Sequence, residues 1–312
     1  MSRYAQAIIN ANQKGGVGKT TSTILQSVVA TLPNDELNKK GCVIDWEGQG
    51  NATSTLGKTF GITEFKKSVY QCIEDNDLIS GIVELTPNLH MIPGAKDIKK
   101  YPDLLERLYP PTTKDYIKKR TFHFKNLLET IRKDYDYIWI DVGPSADIKV
   151  DNAMVCADLV IIIQETKTYS LEGSVDIVYN YLDTLHEDFG NDVTLEVPGI
   201  LYFLKQTKHS LHDDIINQTN GMFGKEFSFS SIVTNSTRIE SYPEHGITVI
   251  DYYDRRIFAL FADIFKELEE RIAMVKSDEG IPEDYLYVPQ YLDGNKLTKL
   301  SRELDLSNYE NI

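Results

Sequence analysis

The sequence predicts an α/β fold: a doubly wound, mostly parallel sheet with helices on both faces. Three observations carry that expectation. Short apolar runs alternate with longer amphipathic stretches along the first 275 residues, the layout of strands joined by crossover helices. The runs are apolar at nearly every position rather than at every second one, as strands covered on both faces require. A glycine-rich turn at residues 15–18 separates the first run from the first helical pattern.

Residues 5–11 (AQAIINA) read as the first strand, and a helical pattern follows from Gly18 to about Thr31. CVID at 42–45 is a strand ending on Asp45, and LHMIP at 89–93 is another. YIWID at 137–141 again ends on an aspartate, Asp141. LVIIIQ at 159–164 reads as a fully buried strand, and 170–187 is helical in period. VPGILYFL at 197–204 and FSFSSIV at 227–233 complete the strands. Residues 257–275 (IFALFADIFKELEERIAMV) form the strongest amphipathic helix, with Leu260, Ile264, Leu268 and Ile272 on its buried face. No Gly/Ser-rich linker interrupts this pattern, so residues 1–275 read as one domain. Residues 276–312 read as an acidic extension with Pro282, Pro289 and Gly294. It is expected to lie extended on the surface and to end in a short helix around 297–304. Residues 96–125, rich in lysine and tyrosine with Pro110 and Pro111, read as an insertion between sheet elements.

Composition narrows the function. With 312 residues and 41% hydrophobic content the chain can bury one large core or two modest ones. No apolar run is long enough to span a bilayer, and residues 1–13 lack the layout of a signal peptide. Cys42, Cys72 and Cys156 show no paired spacing. Cys42 and Cys156 sit in apolar contexts as buried thiols, which fits a reducing cytoplasm. A formal charge of −14 excludes a uniformly basic nucleic-acid-coating surface. Any anion must therefore be bound locally.

The place for that anion is NQKGGVGKTT, residues 12–21. A glycine-rich turn after a strand, opening a helix and carrying a Lys-Thr pair, has the shape of a P-loop. Gly15, Gly16, Val17 and Gly18 would turn backbone N–H groups onto phosphate oxygens, helped by the positive end of the helix. Lys19 would reach the β- and γ-phosphates, and Thr20, followed by Thr21, would offer its hydroxyl to Mg²⁺. Asp141 has the form of a Walker B carboxylate. Asp45 and Glu47 would stand beside it, because ligands of open α/β sheets collect at the carboxyl ends of strands. His123, His209, His212 and His245 lack metal-like spacing and read as surface or loop residues.

The string KGGVGKTT, with Lys14 ahead of the loop, resembles the deviant Walker A motif of the ParA/MinD family of P-loop NTPases. The resemblance covers most of the chain. It continues in VIDWEGQGNATSTLG at 43–57 (switch I), DVGPS at 141–145 (Walker B and switch II), ADLVIIIQETKTYSLEG at 157–173 and RIESYPEHGITVIDY at 238–252. It implies a Mg²⁺-dependent ATPase that dimerises on ATP. Lys14 would reach phosphates bound by the other subunit, much as an arginine finger does. Lys14, Lys19, Asp45 and Glu47 would then be the catalytic group, with Thr20, Asp45 and Asp141 around the metal. Within the family, QGNAT at 49–53 and an acidic end without a basic membrane helix resemble the ParA branch. The start on the first strand resembles its short type.

Three positions depart from the family pattern. Glu47 followed by Gly48 stands where the family has aspartate and proline, Gly143 replaces a proline in switch II, and Val233–Thr234 replaces the Ile-Pro that frames adenine. ATP remains the expected nucleotide, with Asn235 near the base, since no Asn-Lys-x-Asp guanine motif is present. ParA proteins bind nonspecific DNA as dimers and are reset by a centromere-binding ParB-type partner. Lys118, Lys119, Arg120, Lys125, Lys205, Lys208 and Arg238 are the basic residues expected to carry such contacts, with Arg255 and Arg256 nearby. The leading expectation is thus a cytoplasmic, nucleoid-associated partition motor. The alternative is a positioning ATPase of the same fold that acts on a membrane or protein scaffold. A metabolic P-loop enzyme would need a substrate pocket or a cysteine-ligated cluster, and the spacing provides neither.

Overall fold

The computed structural model describes residues 4–204 and 210–306. In chain order the elements are β1 Gln6–Ala11, α1 Lys19–Ala30, β2 Gly41–Asp45, α2 Asn51–Thr59, α3 Val69–Glu74, β3 Val83–Glu84 and β4 Leu89–Ile92. There follow α4 Tyr101–Leu108, α5 Tyr116–Thr121, α6 His123–Arg132, β5 Tyr137–Asp141, α7 Ile148–Met154, β6 Leu159–Glu165 and α8 Thr168–Asp176. A π-helical turn, Ile177–Tyr181, joins α8 to α9 Leu182–Phe189, and then come β7 Glu196–Phe203, α10 Ser210–Phe223, α11 Thr237–His245 and α12 Tyr252–Val275.

The seven strands form one sheet in the order β3-β4-β2-β5-β1-β6-β7. All neighbours are parallel except the short edge pair β3–β4. The doubly wound expectation holds. Apolar runs such as YIWID are buried along their whole length because each face of the sheet is covered. On one face, Leu25, Val28 and Val29 of α1 and Phe258, Phe261 and Phe265 of α12 close over Val43 and Trp139. On the other, Tyr101, Leu105, Phe124 and Leu128 pack over Ile44 and Ile140. The latter residues come from α4 and α6, so the 96–125 segment is not an add-on. It forms the helical crossover from β4 to β5, with the Tyr101 hydroxyl donating to Asn152 Oδ1 at 2.8 Å.

Residues 227–233 do not form the strand their pattern predicts. Phe227 O and Phe229 N bond Ile200, and Val233 N bonds the Tyr202 carbonyl at 2.9 Å, but residues 227–233 close only one parallel bridge, Ile200 to Ser228. The reason is a buried guanidinium. Arg271 of α12 donates to the carbonyls of Pro198 (3.0 Å), Glu226 (2.9 Å) and Ser228 (2.5 Å), and its Nε donates to Glu267. Ser230 N turns to the Glu267 carboxylate at 2.8 Å. Side chains of one helix thus take the groups a sheet ladder would have used.

The C-terminal extension is strapped along α12. The Asp263 carboxylate, buried in that helix, accepts N–H groups from Gln290 (2.6 Å), Tyr291 (3.0 Å) and Leu292 (3.0 Å), and the Tyr287 hydroxyl at 3.2 Å. A small hairpin, β8 Leu292–Asp293 with β9 Lys296–Leu297, and a single 3-10 turn at Leu300–Glu303 stand where the sequence predicts a short helix. Cys42, Cys72 and Cys156 are all buried and unpaired. His123 and His212 are buried rather than superficial; His123 meets the Tyr109 hydroxyl at 3.0 Å. His245 is exposed at the end of α11, and His209 lies outside the described residues. No helix among the described residues is long and apolar enough to cross a membrane.

Candidate nucleotide-binding site

The loop between β1 and α1 winds through left-handed backbone at Gly16 (φ 76°) and Gly18 (φ 104°), conformations open to glycine at little cost. Gly18 is doubly constrained, since a Cβ there would meet the Phe203 ring at 2.3 Å. The helix behind it, α1, starts with no side-chain cap, so its first N–H groups face the cleft unpaired by side chains. Val17 is buried in the core and can offer only its backbone. Lys19 is buried too, and its ammonium donates to the carbonyls of Asn12 (2.9 Å) and Lys14 (2.8 Å). Burial lowers its pKa, against the pull of Asp141 and Glu47.

Lys14 behaves differently. Its backbone is fixed by Asn12, whose Oδ1 accepts Lys14 N–H at 2.9 Å and whose amide is tied to the Ile163 carbonyl. Its side chain is exposed, lies outside the cleft lining, and has no ion-pair partner among the described residues.

The acids gather where the strand ends predict. β2 and β5 run in register, placing Asp45 opposite Asp141. Asp141 is 1% exposed, and neither carboxylate oxygen has a hydrogen-bond partner. Burial and then the Asp45 charge push its pKa well above the usual carboxylate range, with the Thr20 side chain pulling the other way. Burial also raises Asp45 to about 6, opposed by hydrogen bonds from Thr53 and Glu47 N–H. Glu47 is half-buried, and its Oε2 accepts from Asn51 Nδ2 at 3.2 Å. A Cβ on Gly143 would approach Glu47 Oε1 to 3.4 Å. The two departures from the family pattern are therefore neighbours, at ordinary van der Waals distance.

Lys19, Thr20 and Glu47 border a cleft of about 400 Å³ that runs from the glycine loop past Asn51 to an apolar wall, whereas Asp45 and Asp141, buried at the strand ends, are not among its lining residues. The wall is built from Phe203 at the end of β7, Leu204 after it, and Ile239, Tyr242 and Pro243 on α11. Asn235, expected there, is exposed in the loop before α11 and does not line the cleft. The sequence reading missed the wall residues because separate segments supply them. Asn51 was within reach of that reading, since it lies inside the QGNAT string.

A divalent cation fits the donor set. Two buried carboxylates side by side need a compensating positive charge, and Thr20, whose side chain faces Asp141, adds an oxygen. Asp147 and Asp151, which follow β5, are structural. Asp147 caps α7 through Lys149 N at 2.9 Å, and Asp151 accepts the Tyr181 hydroxyl at 2.6 Å.

The basic residues do not form one free surface. Lys118 and Lys125 both turn to Asp192, the latter to its carbonyl at 3.0 Å. Arg120 donates to the Tyr109 carbonyl at 2.8 Å and lies over the Tyr116 ring. Arg238 pairs with Asp251 and with buried Asp254, on the opposite side of the sheet from α5 and α6. Arg255 lies 3.8 Å from Asp305, and Arg256 bonds Asn295. Lys119 is exposed and without an ion-pair partner among the described residues. Lys205 and Lys208 lie outside the described residues.

A phosphate-cradling glycine loop on the first strand of a doubly wound sheet, with acids on the neighbouring strand ends, defines the P-loop class of nucleotide-binding proteins. Comparison with known proteins narrows this. The family model described as "AAA domain" matches residues 5–195, more than half of the chain. The chromosome-partitioning ATPase Soj of Treponema pallidum is 28% identical over 251 residues, 79% of this chain and 90% of that protein. An ATP complex of McdA from Cyanothece superposes with a TM-score of 0.69 at 18% identity, over 86% of this chain and 97% of that one. A putative plasmid partition protein of Borrelia burgdorferi, bound to AMPPNP, gives 0.62 at 20% identity, over 86% and 98%. At such identities the two structures bear on the fold alone. The chain belongs to the AAA domain family and, within it, to the deviant Walker A P-loop ATPases of the ParA/MinD type.

Proposed function

We propose that the protein is a partition ATPase that binds ATP with Mg²⁺, pairs with a second copy through the bound nucleotide, and hydrolyses ATP to come apart. The observation that carries this reading is the contrast between the two lysines. Lys19 is turned into its own loop, whereas Lys14 is exposed and stands outside its own cleft. A cation outside its own cleft, without an ion pair among the described residues, supports a role on the phosphates of a partner subunit. Bound at Thr20, Asp45 and Asp141, the metal supplies charge neutralisation for the phosphates. Lys19 and the loop N–H groups hold the β- and γ-phosphates, Phe203 and Tyr242 flank the base, and Glu47 orients the attacking water from the mouth of the cleft.

The DNA side of the reading draws on the names of the relatives and on the surface cations. Nonspecific duplex DNA would be held by the ATP-bound dimer, and a ParB-type protein would stimulate its release at the nucleoid. The internal pairing of Lys118, Lys125 and Arg238 favours the second reading, a positioning ATPase that works on a scaffold. Sedimentation with ATP or ADP, with and without random duplex DNA, separates the two. A partition motor gives an ATP-dependent dimer that pellets with DNA. A dimer indifferent to DNA at low salt favours the scaffold. In the same assay Lys14→Ala is expected to bind ATP yet stay monomeric or fail to fire, and Lys19→Ala to lose nucleotide affinity. Equal defects in both variants would refute the division of labour.

A further inference from the structure

Thr53 stands in the first turn of α2, far in sequence from the glycine loop, yet it is 8% exposed and tied directly to Asp45. Its backbone N–H and its hydroxyl both reach one oxygen, Asp45 Oδ2, at 2.8 and 2.7 Å. The same hydroxyl accepts the N–H of Gly94 at 2.8 Å. A hydroxyl has one proton. With the Gly94 N–H on its lone pair, that proton is directed to the carboxylate.

Gly94 completes a clamp. It follows β4, the strand paired with β2, and a Cβ there would fall 2.5–2.7 Å from the Asp45 carbonyl and carboxylate. Only glycine lets that backbone come close enough to orient the hydroxyl. Oδ2 is thereby saturated, while Oδ1 takes only the 3.2 Å contact from Glu47 N–H. Oδ1 therefore keeps a lone pair free of hydrogen bonds, in a carboxylate that is wholly buried against Gly94.

We propose that Thr53 is a positioning residue for the nucleotide-bound cation: its hydroxyl, oriented by Gly94, locks the Asp45 carboxylate so that one oxygen stays available to the metal shell. The inference rests on the reading that Asp45 serves that cation. Groups that orient ligands from behind are worth about 10–100-fold in metal affinity, and Thr53 contacts neither nucleotide nor cation in this scheme.

The test uses the full chain and compares Thr53→Val, Thr53→Ser and Asp45→Asn. Two quantities are read: the Mg²⁺ concentration giving half-maximal thermal stabilisation at fixed ATP, and ATP affinity in EDTA. Thr53→Val is expected to need about tenfold more Mg²⁺ with EDTA affinity unchanged. Thr53→Ser, which keeps the hydroxyl, should match the parent in both. If Thr53→Val does not fold, Thr53→Ala takes its place with the same expectation. A parental Mg²⁺ requirement in the hydroxyl-free variant overturns the proposal, as does a serine variant no better than valine. A parental requirement in Asp45→Asn overturns the underlying cation reading instead, and the proposal falls with it.

Discussion

Replacing Asp141 with asparagine is expected to make the metal-free protein more stable above pH 6 while removing the stabilisation that Mg²⁺ and ATP give. Asp45 and Asp141 sit opposite one another at the ends of β2 and β5, and burial disfavours charge on both. The upward displacement of Asp45 from 3.8 to about 6 corresponds to a cost on the order of 3 kcal/mol for ionising it in the folded state. The sign follows from linkage. A carboxyl raised by folding contributes its full stability below about pH 4 and loses it as pH climbs through 6. Asp141, displaced further in the same direction, continues the loss at higher pH. The amide that replaces its carboxyl cannot ionise, so the part of the loss that Asp141 carries at higher pH is removed. Asp141→Asn should therefore gain about 1–3 kcal/mol over the parent at pH 8 in EDTA, with a flatter pH slope. In Mg²⁺ and ATP the order should reverse. Urea unfolding followed by far-UV circular dichroism between pH 5 and 8, with and without Mg·ATP, measures both. A variant less stable than the parent in EDTA at pH 8, or one with the parental pH slope, would refute the argument.

Glu47→Gln keeps size and the contact with Asn51 but removes the base, so ATP turnover should fall at least tenfold while ATP binding and the dimer persist; steady-state turnover alongside sedimentation checks both. Normal turnover would move the role to Asp45. Charge reversal at Lys119, which has no ion pair to lose, should weaken ATP-dependent binding of random duplex DNA and reduce its salt slope by about one ion per contact. Fluorescence anisotropy at several salt concentrations reads this. The same reversal at Arg238 should cost stability as well, because it frees buried Asp254.

What the sequence disclosed follows how its information is laid out along the chain. The glycine loop was legible because contiguous residues make it, and the strand ends were legible because YIWID and CVID are apolar up to the acid. Asp45 and Asp141 could be placed together because parallel neighbours bring their carboxyl ends to one edge. The apolar wall was not legible, since Phe203 and Tyr242 come to one cleft only when β7 and α11 fold. Residues 227–233 have strand composition, and their failure to form one depends on Arg271 more than forty positions away. The 96–125 segment misled through its lysines and prolines. Its apolar positions, Ile98, Tyr101, Leu105 and Phe124, are core residues at helical spacing.

The strap over α12 bears on how the protein can be dissected. Val275 looks like a natural end in the sequence, and a shortened chain or a fused reporter would be joined there. Asp263 makes that cut expensive. Removing 276–312 strips its carboxylate of three backbone donors and one hydroxyl, leaving an unsatisfied acid inside the helix that packs on α1, directly behind the glycine loop. The extension is thus hydrogen-bonded to the helix that backs the nucleotide site. Labels and truncations that aim to leave this helix intact must spare residues 287–292, which supply those donors.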